Sequence, residues 1–131
     1  MENPRPSVVH VVDDDEAVRD SMRALLESFG LSVRTYASAK EYLLSNPAQP
    51  CGCMLLDLHM PGMSGLELMD VLRARGSKLP IIAITGRGDA GLKERVLRAG
   101  ALTLLDKPVA DETLLSSLSR ALSRGATAQA C

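Results

Sequence analysis

Residues 53–65, Cys53-Met54-Leu55-Leu56-Asp57-Leu58-His59-Met60-Pro61-Gly62-Met63-Ser64-Gly65, decide how this chain folds. Met54-Leu55-Leu56 is a short, continuously apolar run that stops at a carboxylate. A strand covered on both faces reads this way, whereas a strand with one wet face alternates. Pro61, Gly62 and Gly65 then open a loop, from which a side chain at the strand end can protrude. Ser64 with Glu67 three residues on predicts a capping box for a helix to about Ala74, with Gly76 behind it. The passage is one strand, one loop and one helix.

The same unit recurs on either side. Val9-His10-Val11-Val12 ends in Asp13-Asp14, Ile81-Ile82-Ala83-Ile84 ends in Thr85, and Leu104-Leu105-Asp106 ends in Lys107-Pro108. The predicted buried strands cover 8–12, 53–56, 81–84 and 102–105, and another begins at Val33 and ends near Tyr36. Val18, Met22, Leu25, Leu26 and Phe29 share one face of a helix over 16–29, capped by Asp15 and stopped at Gly30. Ser38 and Glu41 predict a second capping box, for a helix to about Ser45. A weaker helix covers 90–98 and stops at Gly100. Asp111 is the expected cap of a last helix, with Leu114, Leu115, Leu118, Ala121 and Leu122 on one face and a stop near Gly125. Five strand–helix units with buried strands predict an α/β fold, a doubly wound five-stranded parallel sheet in the order 2-1-3-4-5. The expected domain spans 7–124, with tails at 1–6 and 125–131, the latter small, polar and disordered.

Composition narrows the classes of function. The chain has 131 residues, 15 Lys+Arg against 16 Asp+Glu, and a formal net charge of -1. That balance offers no basic surface for nucleic acid or anionic lipid. Phe29, Tyr36 and Tyr42 are the only aromatics, too few for a base-stacking platform. Apolar runs reach about five residues, far short of the ~20 that span a bilayer. The first residues do not read as a signal peptide. Cys51, Cys53 and Cys131 make neither a disulfide framework nor a zinc site, so reduced thiols in the cytoplasm are expected.

In an open parallel sheet, ligands bind beyond the carboxyl ends of the strands, where the strand order reverses. That point lies between strands 1 and 3, flanked by Asp13, Asp14 and Asp57, with Thr85 and Lys107 following on strands 4 and 5. Each residue has an ordinary role in isolation: an acidic helix start, a turn aspartate, a turn threonine, a solvated lysine. Their shared edge is what points to chemistry. Two carboxylates about 4 Å apart repel by roughly 4 kcal/mol at an effective dielectric near 20. Either one is driven toward its neutral form or a cation binds. Oxygen-only ligands suit Mg²⁺. A carboxylate nucleophile, a metal, a hydroxyl and an ammonium together suit phosphoryl transfer.

With these motifs in hand, residues 7–124 resemble the receiver domain of two-component response regulators, a flavodoxin-like (βα)5 fold. The resemblance rests on Val11-Val12-Asp13-Asp14-Asp15, on Leu55 to Gly65, on Ile82-Ala83-Ile84-Thr85-Gly86, on Ala99-Gly100-Ala101 and on Asp106-Lys107-Pro108. Val9-His10-Val11-Val12 and Thr85-Gly86-Arg87-Gly88-Asp89 look most like the FixJ-type subgroup. The resemblance implies that Asp57 is phosphorylated by a sensor histidine kinase. It implies Mg²⁺ (or Mn²⁺) held by Asp13, Asp14, Asp57 and the His59 backbone carbonyl, and phosphoryl oxygens bound by Thr85 and Lys107. It also implies a cis bond before Pro108 and a homodimer through the face of helix 4, strand 5 and helix 5. His59 and Arg87 stand where such domains tune phosphate lifetime. Leu104 replaces the family's usual aromatic switch residue, which loosens that coupling. The domain itself is expected to touch neither nucleic acid nor membrane, and to be a signalling switch rather than a turnover enzyme.

Two other classes offer readings. A haloacid-dehalogenase-type phosphatase also uses an aspartyl phosphate, Mg²⁺, a Thr and a Lys, and Asp13-Asp14-Asp15 superficially offers its Asp-x-Asp. No Asp-Asp pair follows Lys107, however, and no inserted cap segment is present. A phosphorylation-independent interaction module is the reading that Leu104 favours.

Overall fold

Three of the four continuous apolar runs become strands buried on both faces, whereas the run expected at 102–105 forms an edge strand over 103–106 that is only partly buried. The computed structural model describes residues 7–45 and 51–129, with 125–129 as backbone only. The strands are β1 (Val8–Val12), β2 (Ser32–Tyr36), β3 (Gly52–Asp57), β4 (Ile81–Thr85) and β5 (Thr103–Asp106). The helices are α1 (Glu16–Ser28), α2 (Ala39–Ser45), α3 (Gly65–Ala74), α4 (Leu92–Arg98) and α5 (Asp111–Gln129). All strand pairs are parallel, in the order β2-β1-β3-β4-β5, as expected. β3 and β4 are buried at every position because helices cover both sides of the sheet.

Alternation along the strands splits the core in two. Val9, Val11, Cys53, Leu55, Ile82 and Ile84 pack with Leu26 of α1 and with Leu114, Leu118 and Ala121 of α5. Val12, Met54, Leu56 and Ala83 pack on the opposite face with Tyr42 of α2, Leu68 and Leu72 of α3, and Val96 of α4. β1 and β3 are locked by register, Val8 opposite Gly52 through Val12 opposite Leu56. A Cβ on Gly52 would stand 2.0 Å from the Val8 carbonyl oxygen, so this close approach requires glycine.

Several expectations are corrected. Phe29 is not on the buried face of α1: it is the C-cap, 58% exposed, because the helix has ended and the chain turns away. Asp111 is the first residue of α5 rather than its cap, and the Ala110 carbonyl accepts from Leu114 N–H at 3.0 Å. Gly125 does not stop α5, which runs on to Gln129. One internal glycine costs only about 1 kcal/mol against alanine, and the flanking residues are helix-compatible. The tail expected at 125–131 is therefore helical as far as Gln129, and 130–131, like 1–6, lie outside the described residues. Cys53 is a free buried thiol, pushed up to about 12 by burial.

Candidate functional site

Strand ends bring the polar residues together. Asp13 follows β1, and its N–H donates to the Tyr36 carbonyl at 3.2 Å, extending the ladder by one residue. Asp57 is the last residue of β3 and Thr85 the last of β4. Thr85 pairs in register with Asp106, and its carbonyl accepts from Lys107 N–H at 2.8 Å, which fixes where the lysine leaves β5. The Lys107-Pro108 bond is cis, as the resemblance implied.

Asp13, Asp14 and Asp57 each offer a carboxylate oxygen within 4.8 Å of the others. Asp13 and Asp57 are buried and Asp14 is exposed, so the cluster has one open side. Lys107 Nζ stands 3.3 Å from Asp13 Oδ2 and 3.7 Å from Asp57 Oδ2. The remaining oxygens are held by the backbone. Asp13 Oδ1 accepts from Asp15 N–H at 2.9 Å, and Asp57 Oδ1 accepts from His59 N–H at 3.1 Å. Asp15, the N-cap of α1, accepts from Ala17 and Val18 N–H. The acidic run thus divides its labour between helix cap and cluster.

Burial pushes the Asp57 carboxyl above the usual carboxylate range, and the nearby Asp13 and Asp14 carboxylates add to the push. The His59 N–H and the Lys107 ammonium act in the opposite direction without cancelling it. One ammonium against three carboxylates leaves the site short of positive charge. An oxygen-only set of this kind, partly open to water, fits a hard divalent cation.

Thr85 is fully buried, and its Oγ1 accepts from Arg87 N–H at 3.0 Å and lies 2.8 Å from His59 Nε2. Arg87 is exposed. Leu104 is half-buried and packs against the core on the sheet face where α4 meets β5. Two further supports carried no sequence signal strong enough to find. Arg19 Nη1 donates to the Asp13 carbonyl at 2.7 Å from one turn along α1. Gly65 brings the start of α3 under Asp57, where a Cβ would stand 2.6 Å from the Asp57 carbonyl oxygen.

Comparison with known proteins agrees with this arrangement. The family described as "Response regulator receiver domain" matches residues 9–119. The transcriptional regulatory protein FixJ of Azorhizobium caulinodans is 42% identical over 123 residues, covering 94% of this chain and 58% of that protein. The response regulator TodT of Pseudomonas putida is 40% identical over 118 residues, covering 90% of this chain and 52% of TodT. The chain therefore spans about half the length of these relatives. Among solved structures, the response regulator StyR superposes with a TM-score of 0.90 at 39% identity, covering 95% of this chain and 63% of that one. The FixJ-N crystal structure superposes at 0.83 and 35% identity, covering 91% and 95%. Proteins of this family bind Mg²⁺ through acidic residues and interact with histidine kinases. No helix among the described residues is long and apolar enough to cross a membrane. On fold, motifs and similarity alike, the chain belongs to the response regulator receiver domains of two-component systems, of the FixJ type.

Proposed function

We propose that Asp57 accepts a phosphoryl group from the phosphohistidine of a sensor kinase, and that the domain acts as a switch set by that modification. The observation that carries this reading is the placement of Asp57. It is a buried carboxylate at a strand end, with two further carboxylates within 4.8 Å and the Lys107 ammonium 3.7 Å away. An Asp57 oxygen attacks phosphorus, a P–O bond forms, and the P–N bond to the donor imidazole breaks. Asp13, Asp14, Asp57 and the His59 carbonyl would hold Mg²⁺ or Mn²⁺. The chemistry the cation would supply there is neutralisation of charge on the phosphoryl oxygens.

Lys107 then turns from Asp13 toward the phosphoryl oxygens, and Thr85 supplies a hydroxyl proton to another. The 86–91 loop follows Thr85, and α4 follows the loop. Arg87 and His59 line the approach of the hydrolytic water, and Pro108 shapes the turn that aims Lys107. Leu104 has no polar atom to follow Thr85, so coupling toward β5 is loose. Chemistry is confined to the domain's own phosphorylation and dephosphorylation. The face of α4, β5 and α5 serves dimerisation, and the kinase partner places the domain in the cytoplasm.

The test is phosphorylation by acetyl phosphate with Mg²⁺, read by intact mass. The protein should gain one phosphoryl group, chelation should suppress the gain, and Asp57→Asn should abolish it. Labelling that persists in Asp57→Asn would place the nucleophile elsewhere.

A further inference from the structure

The hydroxyl of Thr85 is already engaged before any phosphoryl group arrives. A hydroxyl has one proton and two lone pairs. Arg87 N–H, at 3.0 Å, occupies one lone pair. His59 Nε2, at 2.8 Å, takes up either the proton or the second lone pair. Thr85 is 0% exposed, so no bulk water competes for this hydroxyl. His59 is itself exposed, on the loop between β3 and α3, and its ring reaches back over the strand end to make the bond. Its backbone N–H is tied to Asp57 Oδ1, so one residue contacts both the carboxylate and the hydroxyl.

The geometry points to His59 as a positioning residue that holds Thr85 in the unphosphorylated state and releases it when Asp57 carries a phosphoryl group. This rests on the phosphoacceptor reading above. Thr85 donates its proton to His59 Nε2 in the resting site, and a phosphoryl oxygen on Asp57 competes for the same proton. The negative charge of the phosphoryl group decides the competition, because charge-assisted hydrogen bonds are the stronger kind. The bond to His59 stabilises only the resting state, so it sets how much of the binding energy is spent on switching.

A second observation places the coupled ring on this side of the site. Leu104 packs against the core on the face where α4 meets β5 and offers Thr85 no polar atom. The ring that senses the Thr85 hydroxyl is therefore His59, on an exposed loop. Its release changes the surface formed by the β3–α3 loop and by 86–91, which is exposed throughout.

The test is a double-mutant cycle on Mg²⁺-dependent beryllofluoride binding, with Asp57 intact in every protein. Substitution at His59 keeps the backbone carbonyl. His59→Ala removes a bond made only in the resting state, so binding should tighten roughly three- to tenfold. His59→Gln, whose side-chain amide can bond the hydroxyl again, should bring the affinity back toward wild type. In a Thr85→Val background, His59→Ala should change affinity less than about twofold. An equal gain in the Thr85→Val background would assign the effect to loop structure and overturn the inference. So would no gain in the Thr85 protein, or a His59→Gln protein that behaves as His59→Ala does. Wild-type protein that fails to bind beryllofluoride with Mg²⁺ would overturn the phosphoacceptor reading and this one with it. Binding that His59→Ala leaves unaltered overturns the positioning role alone.

Discussion

Two buried titratable residues on neighbouring strands carry opposite costs. Asp57 has its pKa raised by burial and by the carboxylates beside it. A raised folded-state pKa means the folded chain holds the proton more tightly than the unfolded one. The resulting stability is present in acid and lost as pH rises through the folded pKa. At neutral pH the ionised carboxylate is therefore a liability, and Asp57→Asn should raise the melting temperature of the metal-free protein. Added Mg²⁺ should narrow that gap by stabilising the wild type more, which paired thermal melts with and without the metal will read. His10 lies in β1, buried, with Nδ1 2.9 Å from the Tyr36 hydroxyl and Nε2 without a partner. Its ring packs edge-on to Tyr42. Burial, with Arg34 adding repulsion, lowers its pKa to about 4 from 6.5. The unfolded chain takes up this proton first, so stability is complete above about pH 6.5 and falls as pH drops toward about 4. The loss approaches about 3 kcal/mol at the acid end. Urea denaturation across that range should show a flatter pH profile for His10→Leu; an unchanged slope would assign the acid sensitivity to the carboxylates.

Helix ends do more at the element scale than helix interiors. Ser64 Oγ accepts from Glu67 N–H at 3.2 Å, and Glu67 Oε1 accepts from Ser64 N–H at 2.9 Å, a complete capping box. The box before α2 is shifted: Ser38 Oγ accepts from Glu41 N–H at 3.0 Å, but Glu41 returns to the N–H of Ala37. At its far end α1 closes with Gly30 N–H on the Glu27 carbonyl and Leu31 N–H on the Leu26 carbonyl, a Schellman motif around a left-handed glycine. α3 and α4 end the same way, at Gly76 and Gly100. Ser64→Ala should cost about 1 kcal/mol in chemical denaturation, since it leaves one N-terminal donor unpaired. Gly65→Ala should cost more and also impair phosphorylation, because its Cβ would press on the Asp57 carbonyl at 2.6 Å. Loss of stability with normal phosphorylation would show that α3 can move without carrying Asp57. α4 is capped by Gly91 at φ 83 with no side-chain bond, which leaves its first turn the least secured of those described by cap geometry.

At the scale of the molecule, the weakly secured α4 follows the loop that begins at Thr85, while β3 is buried and locked on both sides. A change at Asp57 should therefore spread toward 86–105 and spare β1 and β3. Amide exchange with and without Mg²⁺ and beryllofluoride should show altered protection across 86–105. Protection confined to the neighbourhood of Asp57 would mean that the switch is uncoupled. Lys107→Ala removes the ammonium beside Asp13 and Asp57. It should retain metal binding while the exchange response across 86–105 is lost; an unaltered response would remove Lys107 from the coupling path.

The sequence by itself determined the parallel sheet and the set of residues at its carboxyl edge. Four apolar runs and one mixed segment, all too short for helices and each closed by a turn or cap signal, admit little else, and a strand's last residue must lie at the sheet edge whatever the side-chain packing. Asp13, Asp57, Thr85 and Lys107 were legible for that reason. Their partners were not. The tie between His59 and Thr85, 26 residues apart, and Arg19 on the Asp13 carbonyl depend on where loops and helix turns come to rest in space. His10 sits inside an apolar run, and only the arrival of Tyr36 from the edge strand and Tyr42 from α2 explains a buried imidazole there. Local signals also mislead: α5 passes through Gly125, and Phe29 falls beyond the last turn of the helix whose face it was expected to complete. Periodicity and capping act over a few residues, so a chain can state them in order. A hydrogen bond between loops is decided by distances that exist only once the sheet has formed.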